Sequence, residues 1–70
     1  MPLFKSLRIG EIFIPSERVY EAVAAPGGLT TKLIVTAVGE KGPGLIEVEV
    51  EGTLQSVATL LEHGGARLVG

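Results

Sequence analysis

The clearest pattern along the chain is an alternation of acidic and apolar side chains between two glycines, over residues 44–52. Glu47, Glu49 and Glu51 occupy every second position, and apolar residues lie between them. Because successive side chains of a strand point to opposite faces of its sheet, this period of two predicts a strand with one wet and one buried face. The glutamates then line a solvated face, or a face paired with cationic groups of a neighbour.

Residues 53–63 change to helical spacing and predict a helix. Thr53 is a suitable N-terminal cap, and Gly64 with Gly65 predicts a left-handed C-terminal cap. A short last strand is expected over residues 66–69. The helix is expected to bury a stripe formed by Leu54, Val57, Ala58, Leu60 and Leu61.

The first half of the chain predicts a strand followed by a helix. Residues 7–14 alternate loosely and carry apolar groups on both faces, which is typical of a central strand. Pro15, Ser16 and Glu17 then favour a helix start, with Ser16 as the cap and Glu17 near the positive end of the helix dipole. The alternative is that residues 19–25 form the second strand of a hairpin. In the helix, the inward-facing side chains would be Val19, Ala22 and Val23.

Residues 30–38 are rich in Thr, Val and Ile and predict a strand, which a turn over residues 40–44 joins to the glutamate strand. The predicted order is strand, helix, strand, strand, helix, strand, in a single domain over residues 1–70. This order indicates an α+β fold, the ferredoxin-like βαββαβ sandwich with two helices on one face of a four-stranded antiparallel sheet. Its edge, formed by residues 31–38 or by the last strand, is expected to pair with a second copy.

The composition limits the class of protein. A 70-residue chain buries only about 60% of its unfolded surface, so we expect a homo-oligomer or a larger partner protein. Hydrophobic residues make up 46% of the chain, which excludes a disordered tail. The apolar runs are shorter than the roughly 18 residues of a membrane span, so no membrane partner is expected. The sequence has no cysteine and no secretory signal, and a cytoplasmic location is expected.

The charged residues argue against a nucleic-acid partner. The net charge is −2, and the six Lys and Arg residues are spread singly along the chain rather than gathered in a stripe. Asp, Asn, Cys and Trp are absent and Gln occurs once. This depletion of labile side chains favours a thermophilic source.

The sequence offers little catalytic chemistry. The single histidine, His63, is expected to interact with carbonyl groups at the end of the second helix rather than to act as a base or a metal ligand. The serines have no Asp partner and lie in no Gly-x-Ser-x-Gly turn. We therefore expect no catalytic residue, metal or cofactor, and no enzyme activity from the chain on its own, although it could serve as an accessory or regulatory subunit.

Two loops are candidate ligand-binding sites. One is the predicted helix start at Pro15, Ser16 and Glu17, where free N–H groups can bind a small anion. The other contains Gly27 and Gly28, and glycine lets backbone N–H groups approach an anion or a carboxylate. The alternative for the glycine loop is an ordinary turn.

The last part of the chain resembles the C-terminal half of the ACT and NIL regulatory modules. This resemblance implies a ferredoxin-like domain that pairs edge to edge and binds amino acids or similar metabolites at subunit interfaces. It favours a small oligomeric binding or regulatory module, with a small metabolite or a partner chain at a subunit interface. The resemblance lies in residues 44–52, Leu54, Val57, Leu60, Leu61, Gly64 and residues 66–69.

The same region is also similar to bacterial microcompartment shell proteins. The similarity is a Gly-x-Gly-Leu hairpin with alternating valines, followed by a glycine and a helix with an inward valine. It implies the alternative function, a structural shell or scaffold subunit that tiles into hexamers. The matching positions are Gly42, Gly44, Leu45, Val48, Val50, Gly52, Val57 and Gly64.

Overall fold

The computed structural model describes residues 3–61 and 65–70. Within these ranges the chain forms six strands and one α-helix, with a short 3-10 helix at Ser16–Arg18. The elements are β1 (Leu3–Ser6), β2 (Gly10–Phe13), β3 (Val19–Ala24), β4 (Thr30–Gly39), β5 (Gly42–Glu51), α1 (Leu54–Leu61) and β6 (Arg67–Val69).

All six strands belong to one sheet, in the order β2, β1, β5, β4, β3, β6. Neighbouring strands are antiparallel except β3 and β6, which run parallel. The ferredoxin-like prediction is therefore wrong, because the sheet is mixed and six-stranded and the first predicted helix is a strand.

That strand is β3, so the alternative interpretation of residues 19–25 as a strand is correct, although its hairpin partner is β4. Val19 and Ala22 are both buried, at the three-residue spacing that predicted a helix. Val19 lies opposite Val35 and Ala22 lies opposite Leu33, and a β-bulge after Val19 adds one residue to the strand. Because of the extra residue, Val19 and Ala22 lie on the same face of the strand although they are three positions apart. Their buried positions therefore have the spacing that is typical of a helix.

The strand predicted over residues 7–14 is interrupted by a turn. Residues 7–9 connect β1 to β2. The hydroxyl oxygen of Ser6 accepts hydrogen bonds from the backbone N–H groups of Arg8 and Ile9, with N···O distances of 3.2 Å and 3.4 Å. A serine hydroxyl that takes up backbone donors in this way favours a turn over a continuous ladder. The apolar residues of one predicted strand face are exposed rather than buried: Leu7 by 50%, Ile9 by 72% and Phe13 by 50%.

The predicted hairpin in the middle of the chain is confirmed. β4 and β5 pair along their whole lengths, and Glu40 and Lys41 close the hairpin where Gly39 lies opposite Gly42. Because β4 lies between β5 and β3, residues 31–38 are not a sheet edge, and the pairing edge predicted there is wrong. The edge strands are β2 and β6.

The second predicted helix is confirmed as α1. Thr53 caps it, since its Oγ1 accepts a hydrogen bond from the backbone N–H of Ser56 at 3.1 Å. Val57 and Leu61 are buried, whereas Leu60 of the predicted stripe is 49% exposed. No helix within residues 3–61 and 65–70 is long and apolar enough to cross a membrane.

The last strand is confirmed as β6, which lies parallel to β3 with Leu68 opposite Ala22. Residues 62–64 lie outside the described residues, so the end of the predicted helix, the cap at Gly64 and the role of His63 stay predictions.

One hydrophobic cluster forms the core, with members from β1, β3, β4, β5 and α1 and from the segment after β2. We call the face of the sheet that carries this cluster the core face. The helix packs against β3 and β4 and leaves the far ends of β4 and β5 uncovered on the core face. The cluster consists of Phe4, Ile14, Val19, Ala22, Leu33, Val35, Val50, Val57 and Leu61.

Candidate functional site

The predicted binding loop at Pro15, Ser16 and Glu17 does not begin an α-helix. It leads into the 3-10 helix Ser16–Arg18, whose N-terminal cap is Pro15 and has no side-chain cap hydrogen bond. The cap predicted at Ser16 is therefore wrong. A single 3-10 turn aligns too few peptide dipoles to act as a helix N-terminus does toward an anion. Ligand binding at these residues stays a prediction, without a helix to support it.

Gly27 and Gly28 lie in the loop that joins β3 to β4, with φ angles of 90° and 73° that favour glycine. The loop closes through its own backbone, since Gly28 N–H donates to the carbonyl of Ala25 at 2.9 Å. The glycine loop follows the last residue of β3, whereas the loop at residues 15–17 precedes the first residue of β3. Six strand residues separate the two predicted loops by about 20 Å at about 3.3 Å each, so they do not form one site.

The glutamates of β5 lie on the face of the sheet opposite the core face, as the alternation predicts. Glu47 and Glu51 are exposed and Glu49 is half-buried. The Thr30 hydroxyl donates to Glu49 Oε2 at 2.7 Å, and Lys5 Nζ lies 3.7 Å from Glu51 Oε2. The exposure of Glu47 and Glu51 agrees with the predicted solvated face. Within the chain, a hydroxyl group contacts Glu49 and a cationic group contacts Glu51. Pairing of this face with cationic groups of a neighbour stays a prediction.

A cleft opens on the core face of the sheet, where its lining includes the core residues Ile14 and Val35 and no residue of Leu54–Leu61. It encloses about 270 Å³ between the β1–β2 hairpin and the far halves of β4 and β5. We call this the apolar cleft, because Arg18 is the one ionisable side chain among the described residues that line it. Its apolar lining includes Ile9, Phe13, Ile14, Val35 and Ile46.

A second cleft, of about 340 Å³, lies where the 3-10 helix meets β3 and the segment that enters β6. Arg18 and Thr36 line this cleft as well as the apolar cleft, so the two share a wall. We call it the arginine cleft. Its remaining lining residues are Glu17, Val19, Tyr20, Gly65 and Arg67.

The sequence analysis missed these surfaces for a physical reason. Arg18 and Arg67 are far apart in the sequence, and the parallel pairing of β6 with β3 brings the segments that carry them close together. Because β3 and β6 are distant in the sequence, no local pattern predicts that they pair. Of the predicted loop, Glu17 contributes to the arginine cleft and Pro15 to the apolar cleft.

Within the described residues, no group of three or more His, Cys, Asp or Glu side chains is arranged to hold a metal ion. No family model, curated protein or solved structure matches the chain. These comparisons therefore neither support nor oppose the resemblances to ACT and NIL modules and to microcompartment shell proteins.

Proposed function

We propose that the chain is a small non-enzymatic binding module that works as a homo-oligomer, in which a second copy covers the apolar cleft. One observation carries this proposal. Large apolar side chains around the cleft are open to solvent although they lie beside the core: Ile9 is 72% exposed, Ile46 is 51% exposed and Phe13 is 50% exposed. Contiguous exposed apolar surface is typical of protein interfaces.

A second copy suits this surface in size. The described chain has an accessible surface of 4908 Å², and a standard interface buries about 800 Å² on each partner. A sixth of the surface is therefore enough for a stable dimer. Because a chain of this length has a small core, the added apolar burial also offsets its marginal stability.

The charges beside the cleft also favour self-association. Glu17 lies between Pro15 and Arg18, which both line the cleft, and both charged side chains are exposed. A two-fold axis through the cleft sets the same surface against itself, so a rim that carries charges of both signs is compatible with a second copy of itself. Opposite charges at the rim of an apolar contact fix its orientation.

The exposed edge strand β6 is a weaker candidate for this contact. It has three residues, all exposed, and offers few backbone hydrogen bonds to a second copy. The apolar cleft is also unsuited to catalysis. Arg18, its ionisable side chain among the described residues, stays protonated in proteins and cannot act as a general base.

A small metabolite or a partner chain held between two copies would contact the same surface, as the regulatory-module hypothesis expects. The cytoplasmic location expected from the cysteine-free sequence stays part of the proposal.

The test is the solution mass of the 7.3 kDa chain by light scattering over a range of concentrations. We expect a dimer, and we expect Ile9→Ser to shift it toward monomer, because Ile9 lies in an exposed turn and its loss leaves the core intact. The matched control is Leu29→Ser, which removes an apolar side chain that is 78% exposed on another loop and should leave the dimer unchanged.

A wild-type chain that stays monomeric at every concentration contradicts the proposal. Equal mass shifts in both variants also contradict it, since they would show no role for the cleft. A hexamer that associates into sheets would favour the alternative of a shell or scaffold subunit.

A further inference from the structure

We propose that the arginine cleft binds a small oxyanion, the carboxylate or phosphate group of a small molecule. The site is complete within one chain, so this proposal does not depend on the formation of a dimer. Three elements supply the ligand-binding groups: Arg18 ends the 3-10 helix, Tyr20 lies at the start of β3, and Arg67 begins β6.

The charge of the lining favours an anion. Among the described residues that line the cleft, Arg18 and Arg67 are accompanied by one carboxylate, that of Glu17. Within the described residues neither arginine lies within 4.0 Å of a carboxylate, and the ion pair formed there is Lys5 with Glu51. Each guanidinium has five N–H donors in a planar fork that matches the oxygens of a carboxylate or phosphate.

Hydrogen bonds and strand pairing fix the main-chain positions of both arginines. The N–H of Arg18 donates to the Pro15 carbonyl at 2.9 Å, which closes the 3-10 turn. The carbonyl of Arg18 lies 3.4 Å from the Thr36 hydroxyl, which donates to it. Arg67 is held by the parallel pairing of β6, in which it lies opposite Glu21. The two side chains are exposed on fixed backbone, as an open site that exchanges a small ligand requires.

Tyr20 adds a neutral donor to the same site. It lies within the β-bulge of β3, where the pairing register passes from Val19 to Glu21, and it is 61% exposed. A phenol O–H can donate to an oxyanion, and its ring offers a flat surface to the body of a ligand. At about 340 Å³ the cleft is near the lower end of the range of ligand pockets, roughly 300 to 1,000 Å³, which indicates a small molecule.

A third cleft provides an internal comparison. It encloses about 300 Å³ beside the turn between β1 and β2, and its lining contains Arg8 together with Glu47 and Glu49. Two carboxylates against one guanidinium make this cleft unfavourable for an anion. Replacement of Arg8 is therefore a matched control, because it removes the same exposed side chain from a different cleft.

The chain has a built-in reporter for the test. Tyr20 is its single tyrosine and tryptophan is absent, so tyrosine emission comes from within the arginine cleft. We would titrate the wild-type chain with inorganic phosphate and, separately, with malonate, at constant ionic strength maintained with chloride. We expect a saturable change in Tyr20 emission with at least one anion. Saturation by phosphate alone, by malonate alone or by both would support the proposal and identify the preferred group.

Variants separate binding from a general salt effect. The single variants Arg18→Gln and Arg67→Gln should each weaken the apparent affinity for the anion by about tenfold or more. This is the order expected when a charge-assisted hydrogen bond is lost. Arg8→Gln should bind like the wild type. Because all three arginines are exposed, the variants should keep their fold, which circular dichroism checks.

A second readout detects binding even if Tyr20 emission does not respond to the anion. Amide chemical shifts of Thr36 and Gly65 should move with the same midpoint as Tyr20 emission. The proposal is overturned if neither signal shows a saturable change. It is also overturned if Arg18→Gln and Arg67→Gln bind the anion with the affinity of the wild type. Ile9→Ser should bind the anion as the wild type does, so failure of the dimer proposal and failure of the anion site give different results.

Discussion

The hydroxyl of Thr31, in the middle of the sheet, donates a hydrogen bond to the carbonyl oxygen of Gly52 at an O···O distance of 3.0 Å. Thr31 is fully buried and lies on β4, whereas Gly52 is the connection between β5 and α1. The N–H of Gly52 also donates to the carbonyl of Leu29 at 3.1 Å. Both polar backbone groups of Gly52 are therefore used, and they attach the start of the helix to the sheet.

Replacing this buried hydroxyl should weaken the fold. Thr31→Val keeps the shape of the side chain but leaves the Gly52 carbonyl without its donor, which costs about 1 to 3 kcal/mol in the free energy of unfolding. Urea unfolding followed by circular dichroism measures this difference. The matched control is Thr36→Val on the same strand, whose exposed hydroxyl makes a longer contact of 3.4 Å and should contribute much less. Equal midpoints for the two variants would contradict the role of Thr31.

The conformation of Gly52 leads to a second prediction. Its φ of 115° lies in a region that side-chain-bearing residues rarely adopt. Gly52→Ala should lower the free energy of unfolding by about 1 to 3 kcal/mol through backbone strain. Steric overlap does not contribute, because the nearest atom to an added Cβ is Val57 Cγ2 at an ordinary 3.7 Å.

Gly44→Ala is the control for this substitution. Gly44 is not among the described glycines with positive φ, and nothing lies within 4 Å of an added Cβ. The change should leave stability nearly unaltered or raise it slightly, since alanine restricts the unfolded chain. If both alanine variants unfold at the same urea concentration, the strain assigned to Gly52 is absent.

The core leads to a third prediction. Leu33 is fully buried in β4 and belongs to the hydrophobic core cluster. Leu33→Ala should lower the free energy of unfolding by about 2 to 5 kcal/mol, a large part of the stability of a small domain. Leu29→Ala removes the same atoms from a side chain that is 78% exposed and should change it little. Thermal unfolding separates the two, and a cooperative wild-type-like transition for Leu33→Ala would contradict the placement of the core.

The second half of the chain could be predicted because its structure follows local patterns. The alternation at Glu47, Glu49 and Glu51 specifies a strand face, and Thr53 with the apolar residues after it specifies a capped helix. Each of these signals lies within about ten residues. Local periodicity therefore gave the correct element there without any knowledge of the tertiary contacts.

The first half could not be predicted in the same way, because contacts distant in sequence decide it. A single extra residue in β3 sets Val19 and Ala22 at helical spacing, and the pairing with β4 overrides that signal. The strand order also depends on the pairing of Ser6 with Val50, which no sequence motif marks. The arginine cleft depends in turn on this strand order. The sequence pattern therefore did not predict that its residues lie together.

The N-terminal cap of α1 leads to the last prediction, which compares the same substitution at two positions. Thr53 Oγ1 accepts the backbone N–H of Ser56, so Thr53→Ala leaves that donor to water and should cost about 1 kcal/mol in the free energy of unfolding. Thr59 lies within the helix, where its hydroxyl donates to the Gln55 carbonyl at 3.0 Å on the exposed side. That carbonyl already takes part in the helix, and a threonine that bonds back to it favours bending.

Thr59→Ala should therefore leave stability unchanged or raise it by up to about 0.7 kcal/mol, since alanine has the higher helix propensity. The two variants remove the same atoms at the cap and within the helix, and only Thr53→Ala is expected to lower the free energy of unfolding. Chemical unfolding of both, measured against the wild type, tests the difference directly. A loss of stability in Thr59→Ala as large as in Thr53→Ala would show that side-chain packing, rather than the cap, determines what threonine contributes to α1.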